Sequence, residues 1–161
     1  MLFLDTKVNK QEVMRVFLAT DHAGYELKEY VKSYLINLEY EVIDCGAYEL
    51  DPIDDYPDYI IPAAKKVAHN IESRGIIFGG SGQGEAMAAN RVNGVRAALY
   101  YGGSLDIVKL SRTHNNANIL SIGARFLSYE KTIEVISLWL KEPFEGGRHL
   151  NRISKLDGNY E

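Results

Sequence analysis

The chemistry this chain can do is concentrated around Gly79-Gly-Ser-Gly-Gln-Gly-Glu85, where four glycines fall within six residues. Such a loop leaves backbone N–H groups unobstructed by side chains and lets an anion approach closely. Glu85 then places a carboxylate where an anion is expected. A loop that receives an anion and holds a base beside it suits proton abstraction next to a carbonyl. A helix dipole would keep Glu85 ionised, the form a base needs, although acidic residues favour a first helical turn for that reason alone. Ser81 reads either as a cap or as a donor to a substrate oxygen. The loop is no nucleotide P-loop, since Glu85 stands where a lysine is wanted, and its glycines lack the dinucleotide spacing. A plain tight turn is the bland alternative.

Three further groups are of the right types. Asp21-His22 is either an acid/base or phosphate-contacting pair, or an Asp cap beside an exposed imidazole. In Arg112-Thr-His-Asn-Asn116, His114 either complements a helix C-terminus or moves a proton between a ring oxygen and a hydroxyl, with Asn115 orienting a sugar. Arg148 and Arg152 lie four apart, on one helix face, and two guanidinium forks so placed match a phosphate; Arg125 could add a third. The acidic stretch Asp51-Pro-Ile-Asp-Asp-Tyr-Pro57 reads as a solvated or capping loop, because its carboxylates form no matching Mg²⁺ ligand set. Cys45 reads as core or edge packing.

These residues need elements to hold them. Apolar runs at Val16 to Thr20, Glu41 to Cys45, Gly75 to Phe78, Val95 to Tyr100 and Asn118 to Ile122 predict five strands. Helical spacing predicts helices over Glu26 to Leu38, Pro57 to about Ile71, the glycine loop to about Arg91, Leu105 to Thr113, and Tyr129 to Leu140. A basic helix closes the chain. Strands alternating with helices predict an α/β fold, a doubly wound five-stranded parallel sheet (Rossmann-like) in a single domain. Residues 1–14 read as an N-terminal extension and 15–161 as the domain. Ligands in such folds bind beyond the carboxyl ends of the strands, where Asp21-His22, the glycine loop and Ala124-Arg125 all fall.

Bulk composition narrows the classes. The chain has 161 residues, 46% hydrophobic, with net charge −4, so a broad nucleic-acid or anionic-membrane surface is not expected. One cysteine rules out an internal disulfide and a cysteine metal cage. No apolar run is long enough to span a bilayer and the N-terminus does not fit a signal peptide, which makes the cytoplasm the expected location.

Taken in order from Val16, Thr20-Asp21-His22-Ala-Gly24, Asp55-Tyr-Pro57, Gly79 to Glu85, Ala88-Ala-Asn90, Gly94-Val-Arg-Ala97, His114-Asn115-Asn116-Ala117 and Gly147-Arg-His149 resemble the ribose-5-phosphate isomerase B family. That family includes galactose-6-phosphate and allose-6-phosphate isomerases. The resemblance implies interconversion of ribose 5-phosphate and ribulose 5-phosphate through an enediolate, with neither metal nor cofactor. One branch uses a cysteine at the strand-to-loop junction as the C1/C2 base. This chain has Gly79 there and resembles the branch in which a glutamate, here Glu85, takes the role. By the same resemblance His114 opens the furanose ring with Asp21 assisting, and Ser81 and the amides of Gly80, Gly82 and Gly84 hold the enediolate oxygen. His22, Arg125, Arg148 and Arg152 take the phosphate, Asn115 a sugar hydroxyl, and Tyr56 lines the site. The family pattern further implies a homodimer, or a dimer of dimers, with shared sites that the late arginines reach from the partner. A hexose 6-phosphate substrate is the alternative within the same chemistry. A non-catalytic sugar-phosphate sensor and a nucleotide-binding oxidoreductase are the readings outside it.

Overall fold

The computed structural model describes residues 12–158, so most of the extension expected over residues 1–14 lies outside the described residues. Five strands form one sheet: β1 (Arg15–Thr20), β2 (Glu41–Asp44), β3 (Arg74–Gly79), β4 (Ala97–Tyr100) and β5 (Ile119–Gly123). Their order is β2-β1-β3-β5-β4 and every pairing is parallel. Parallel neighbours need a crossover, and helices α1 (Tyr25–Asn37), α2 (Pro57–Ala68), α3 (Gln83–Ala89), α4 (Leu105–Thr113) and α5 (Tyr129–Lys141) supply them, with α6 (Arg148–Leu156) last.

Alternation along the strands sorts side chains into two cores. Leu18, Ile76, Phe78, Leu120 and Ile122 face α1, α4 and α5, where Leu27, Val31, Val108, Val135 and Trp139 meet them. Phe17, Ala19, Ile77 and Ile119 face the other way, onto Ile60, Ala64 and Val67 of α2 and Ala89 of α3. Burial on both faces is why β1, β3 and β5 read as continuous apolar runs.

Local signals set the element ends. Pro57 begins α2, where its missing N–H costs nothing. Ser104 caps α4 by accepting from the Asp106 N–H at 3.1 Å. Three ends differ from the sequence expectation by two residues or more. Helix α2 stops at Ala68, leaving Ile71 87% exposed beyond it. Helix α3 stops at Ala89 and β4 starts at Ala97 rather than Val95, for one shared reason. The Asn90 side chain takes the Ala97 N–H at 2.8 Å and donates to its carbonyl at 3.0 Å, fastening the end of α3 to the start of the strand.

Each crossover helix carries the chain from the carboxyl edge of the sheet back to its amino edge. Residues just after a strand and residues just after a helix therefore lie on opposite edges. The strands put about 15 Å between them.

Candidate active site

The carboxyl edge gathers Asp21, His22, Tyr56, the glycine loop, Glu85 and Arg125. Glu85 is only 5% exposed. Burial is the main force pushing its carboxyl above the usual range, with Asp21 adding to it and the Glu85 backbone N–H opposing it. The net shift runs opposite to the one expected from a helix dipole. Helix α3 has seven residues, too few for a large dipole, and desolvation outweighs it.

The glycines are explained by what presses on them. A methyl on Gly79 would overlap the Glu85 carboxylate. A side chain at 79 and the carboxylate of 85 thus compete for one volume, so Gly79 and Glu85 belong together. A Cβ at Gly80 would lie 2.9 Å from Arg125 Nη1, and one at Gly84 2.7 Å from Tyr56 Cζ. Arg125 and Tyr56 are in this way seated directly against the loop. Gly82 has φ +75°, a left-handed conformation that glycine adopts without strain. Ser81 Oγ accepts from the Gln83 N–H at 3.3 Å and keeps its own proton to donate, so it is both cap and candidate donor. The N–H groups of Gly80, Ser81 and Gly82 have no protein acceptor among the described residues.

Asp21 is 7% exposed and accepts from the Ala23 N–H at 2.9 Å, capping the short turn His22–Gly24. The cap and the site position are compatible, since its second oxygen stands 4.0 Å from His22 Nδ1. His22 has a closer partner that the sequence did not reveal. Asp54 Oδ1 accepts both the His22 backbone N–H at 3.0 Å and ring Nδ1 at 2.7 Å. The hydrogen bond to Asp54 is the main cause that raises the imidazole above its ordinary value. The acidic loop is therefore not simply solvated: the Asp54 side chain is 5% exposed.

His114, Asn115, Arg148 and Arg152 are elsewhere. His114 ends α4, five residues before β5, and so lies on the amino edge, as does α6. There His114, Asn115, His149 and Arg152 line one cleft of about 310 Å³. His114 and His149 stack with ring centroids 4.1 Å apart and planes 16° apart. Glu145 Oε2 lies 3.9 Å from His114 Nε2 and 3.7 Å from His149 Nε2. Burial, with His114, Arg148 and Arg152 nearby, lowers the His149 imidazole. His149 and Glu145 were absent from the expected site; the His149–Ile153 spacing on the buried side of α6 was the available signal.

Two groups of ligand-type atoms, Asp21-His22-Asp54 and His114-Glu145-His149, each lie within 4.8 Å of one another. Neither is shaped as a metal site. In the first, Asp21 and Asp54 already accept N–H groups. In the second, near-parallel rings direct their lone pairs side by side rather than to a common point.

Arg112 holds the amino-edge turn. It is 3% exposed and donates to Asn116 Oδ1 at 2.9 Å, the Ala117 carbonyl at 2.6 Å and the Glu142 carbonyl at 3.1 Å. Burial, then Arg74 and Arg96, push its guanidinium down to about 10.

Residues 16–156 match the family model described as Ribose/Galactose Isomerase. The chain is 42% identical over 144 residues to ribose-5-phosphate isomerase B of Mycobacterium tuberculosis, covering 89% of this chain and 88% of that one. It is 41% identical over 141 residues to a probable ribose-5-phosphate isomerase B of Mycoplasma pneumoniae, covering 88% and 91%. In structure it is similar to ribose-5-phosphate isomerase B from Mycoplasma genitalium with bound ribulose 5-phosphate, with TM-score 0.85, 40% identity, and 89% and 94% of the two chains covered. Among the described residues, no helix is long and apolar enough to cross a membrane.

Proposed function

The chain belongs to the ribose/galactose isomerase family, and from that premise we infer that it interconverts ribose 5-phosphate and ribulose 5-phosphate, with Glu85 as the base. The observation that carries the assignment of the base is the buried Glu85 carboxylate packed on side-chain-free Gly79, beside loop N–H groups that lack acceptors.

In the open-chain aldose, Glu85 takes the C2 proton and the C–H electron pair becomes the C1=C2 bond of an enediolate. The charge on O1 is held by Ser81 and the free N–H groups of Gly80 and Gly82; Gly84 leaves room for Tyr56. One preorganised donor of this kind is worth about 3–4 kcal/mol in the transition state. A proton passes from O2 to O1, and Glu85 returns its proton to C1 to give the ketose. A positioned base contributes roughly 10²–10⁴-fold.

Ring opening needs an acid at the ring oxygen. His114 is the candidate, with Asp21 assisting, but the His114 and Glu85 of one chain lie on opposite sheet edges. The site is therefore completed in a homodimer: a partner copy brings His114, Asn115, Arg148 and Arg152 to the carboxyl edge, where His22 and Arg125 wait. The free edge of β4 supports such a pairing. Met87, Tyr101, Ile107 and Leu110 are exposed beside it, and a cleft of about 640 Å³ opens at its start, against Ala97 and Ala98. The phosphate grip then supplies remote binding energy that orients the reacting carbons. A phosphorylated substrate, which does not cross membranes unaided, supports a cytoplasmic setting. Residues 15–161 form the catalytic domain.

The test is solvent-deuterium exchange. In Glu85→Gln, exchange at C2 and turnover should both vanish while substrate affinity stays within a few-fold. Full turnover in that variant would remove Glu85 from the base role.

A further inference from the structure

We propose that Asp54 is a positioning residue for His22, clamping the imidazole so that Nε2 is presented as an N–H donor to the substrate phosphate. The proposal rests on the functional reading above, in which His22 contacts that phosphate.

The geometry singles out Asp54. One oxygen, Oδ1, receives two bonds from the same residue, the His22 backbone N–H at 3.0 Å and ring Nδ1 at 2.7 Å. Two bonds to one oxygen fix both the backbone and the ring of His22. With Nδ1 so occupied, it carries its proton towards Asp54, and Nε2 is the ring atom left for a ligand. Nε2 has no protein partner among the described residues, and the His22 side chain stays 32% exposed. Asp21 cannot substitute for the clamp: its Oδ1 is taken by the Ala23 N–H, and its Oδ2 stands 4.0 Å from Nδ1. Asp54 is delivered by a built turn. Asp51 Oδ1 accepts from the Ile53 N–H at 3.1 Å, turning Ile53 out and Asp54 in.

Charge follows from this geometry. A buried carboxylate at 2.7 Å favours the imidazolium, so Nε2–H stays a charged donor to higher pH than an isolated histidine would. The other groups bearing on the ring are Asp21, which acts in the same direction, and Arg125, which opposes it. Glu85 interacts with Asp21, and Tyr59 of α2 interacts with Asp54. The Asp54 oxygen Oδ2 is buried and has no partner at strict hydrogen-bonding geometry, while the Tyr59 hydroxyl bears on the same carboxylate, so His22 and Tyr59 together answer its charge.

The deciding variant is Asp54→Asn. Its amide oxygen still accepts both His22 bonds, so geometry is kept while the charge is lost. KM for ribose 5-phosphate should rise about fivefold in mildly alkaline buffer, the difference between a charged and a neutral donor. It should match wild type in acid buffer, where His22 is protonated in both, and kcat should hardly move. In His22→Asn, adding Asp54→Asn should change nothing further. Asp54→Leu, which removes the acceptor itself, should raise KM at every pH with kcat retained; an unaltered KM in both variants, or a fall in kcat as large as the rise in KM, would overturn the clamp. Should the wild type fail to isomerise ribose 5-phosphate, the functional reading falls. The clamp is then decided by NMR titration of His22 with inorganic phosphate as ligand: an earlier loss of its proton in Asp54→Asn upholds it, and an unmoved titration overturns it.

Discussion

Glu85 is held where burial raises its carboxyl, and that displacement acts in opposite directions on catalysis and on stability. A base nearer neutrality binds the abstracted proton more strongly than an ordinary glutamate. The folded chain, however, must hold the charge in a poorly solvated place. Because the folded-state value lies above the unfolded one, the folded chain binds more protons between them, and stability falls as pH rises through that window. Glu85→Gln removes the cost. Its melting temperature at neutral pH should exceed the wild type's by about 2–4 °C, with the gap closing in acid where Glu85 is protonated anyway. Thermal melts across pH measure this, and a variant less stable at neutral pH would contradict the sign. Carboxylates separated in sequence show how environment divides the labour. Glu85, the proposed base, is desolvated, Asp21 caps a turn at the site, and Asp54 bonds an imidazole.

At the scale of elements, α4 and α5 are joined at their ends by Arg112. The carbonyls of Ala117 and Glu142 both depend on it, and Asn116 is held at φ 45°, a left-handed conformation that asparagine tolerates. The same fastening sets the His114–Asn115 turn and the approach to α6. Arg112→Met should cost about 2–4 kcal/mol by leaving buried carbonyls without donors, read as a lower denaturant midpoint. A midpoint unchanged by the substitution would show that water satisfies the turn. The elements themselves were legible in sequence, because apolar runs, Pro57 and Ser104 are local signals. Their exact ends were not, since Asn90 ends α3 by reaching seven residues along the chain. Asp54 was hidden for a related reason. Among neighbouring acids, nothing local distinguishes the carboxylate that turns inward onto His22 from those that stay in water. The His114 edge was readable in principle: a residue that ends a crossover helix must sit opposite one that ends a strand.

At the scale of the molecule, the fold divides the groups of the proposed mechanism between two edges of one sheet. Glu85, Asp21, His22 and Arg125 share the carboxyl edge, and His114, Asn115, Arg148 and Arg152 the amino edge. On the proposed function a complete site requires two copies, each lending its amino edge to the other's carboxyl edge, as a two-fold dimer does twice over. Subunit complementation tests this most directly. Glu85→Gln and His114→Asn, each inactive alone, are mixed in equal amounts and allowed to exchange subunits. About half of the dimers are then mixed, and each mixed dimer has one intact site, so about one quarter of wild-type ribose-5-phosphate isomerisation should return. No recovered activity after verified exchange would contradict a site shared between Glu85 of one copy and His114 of the other.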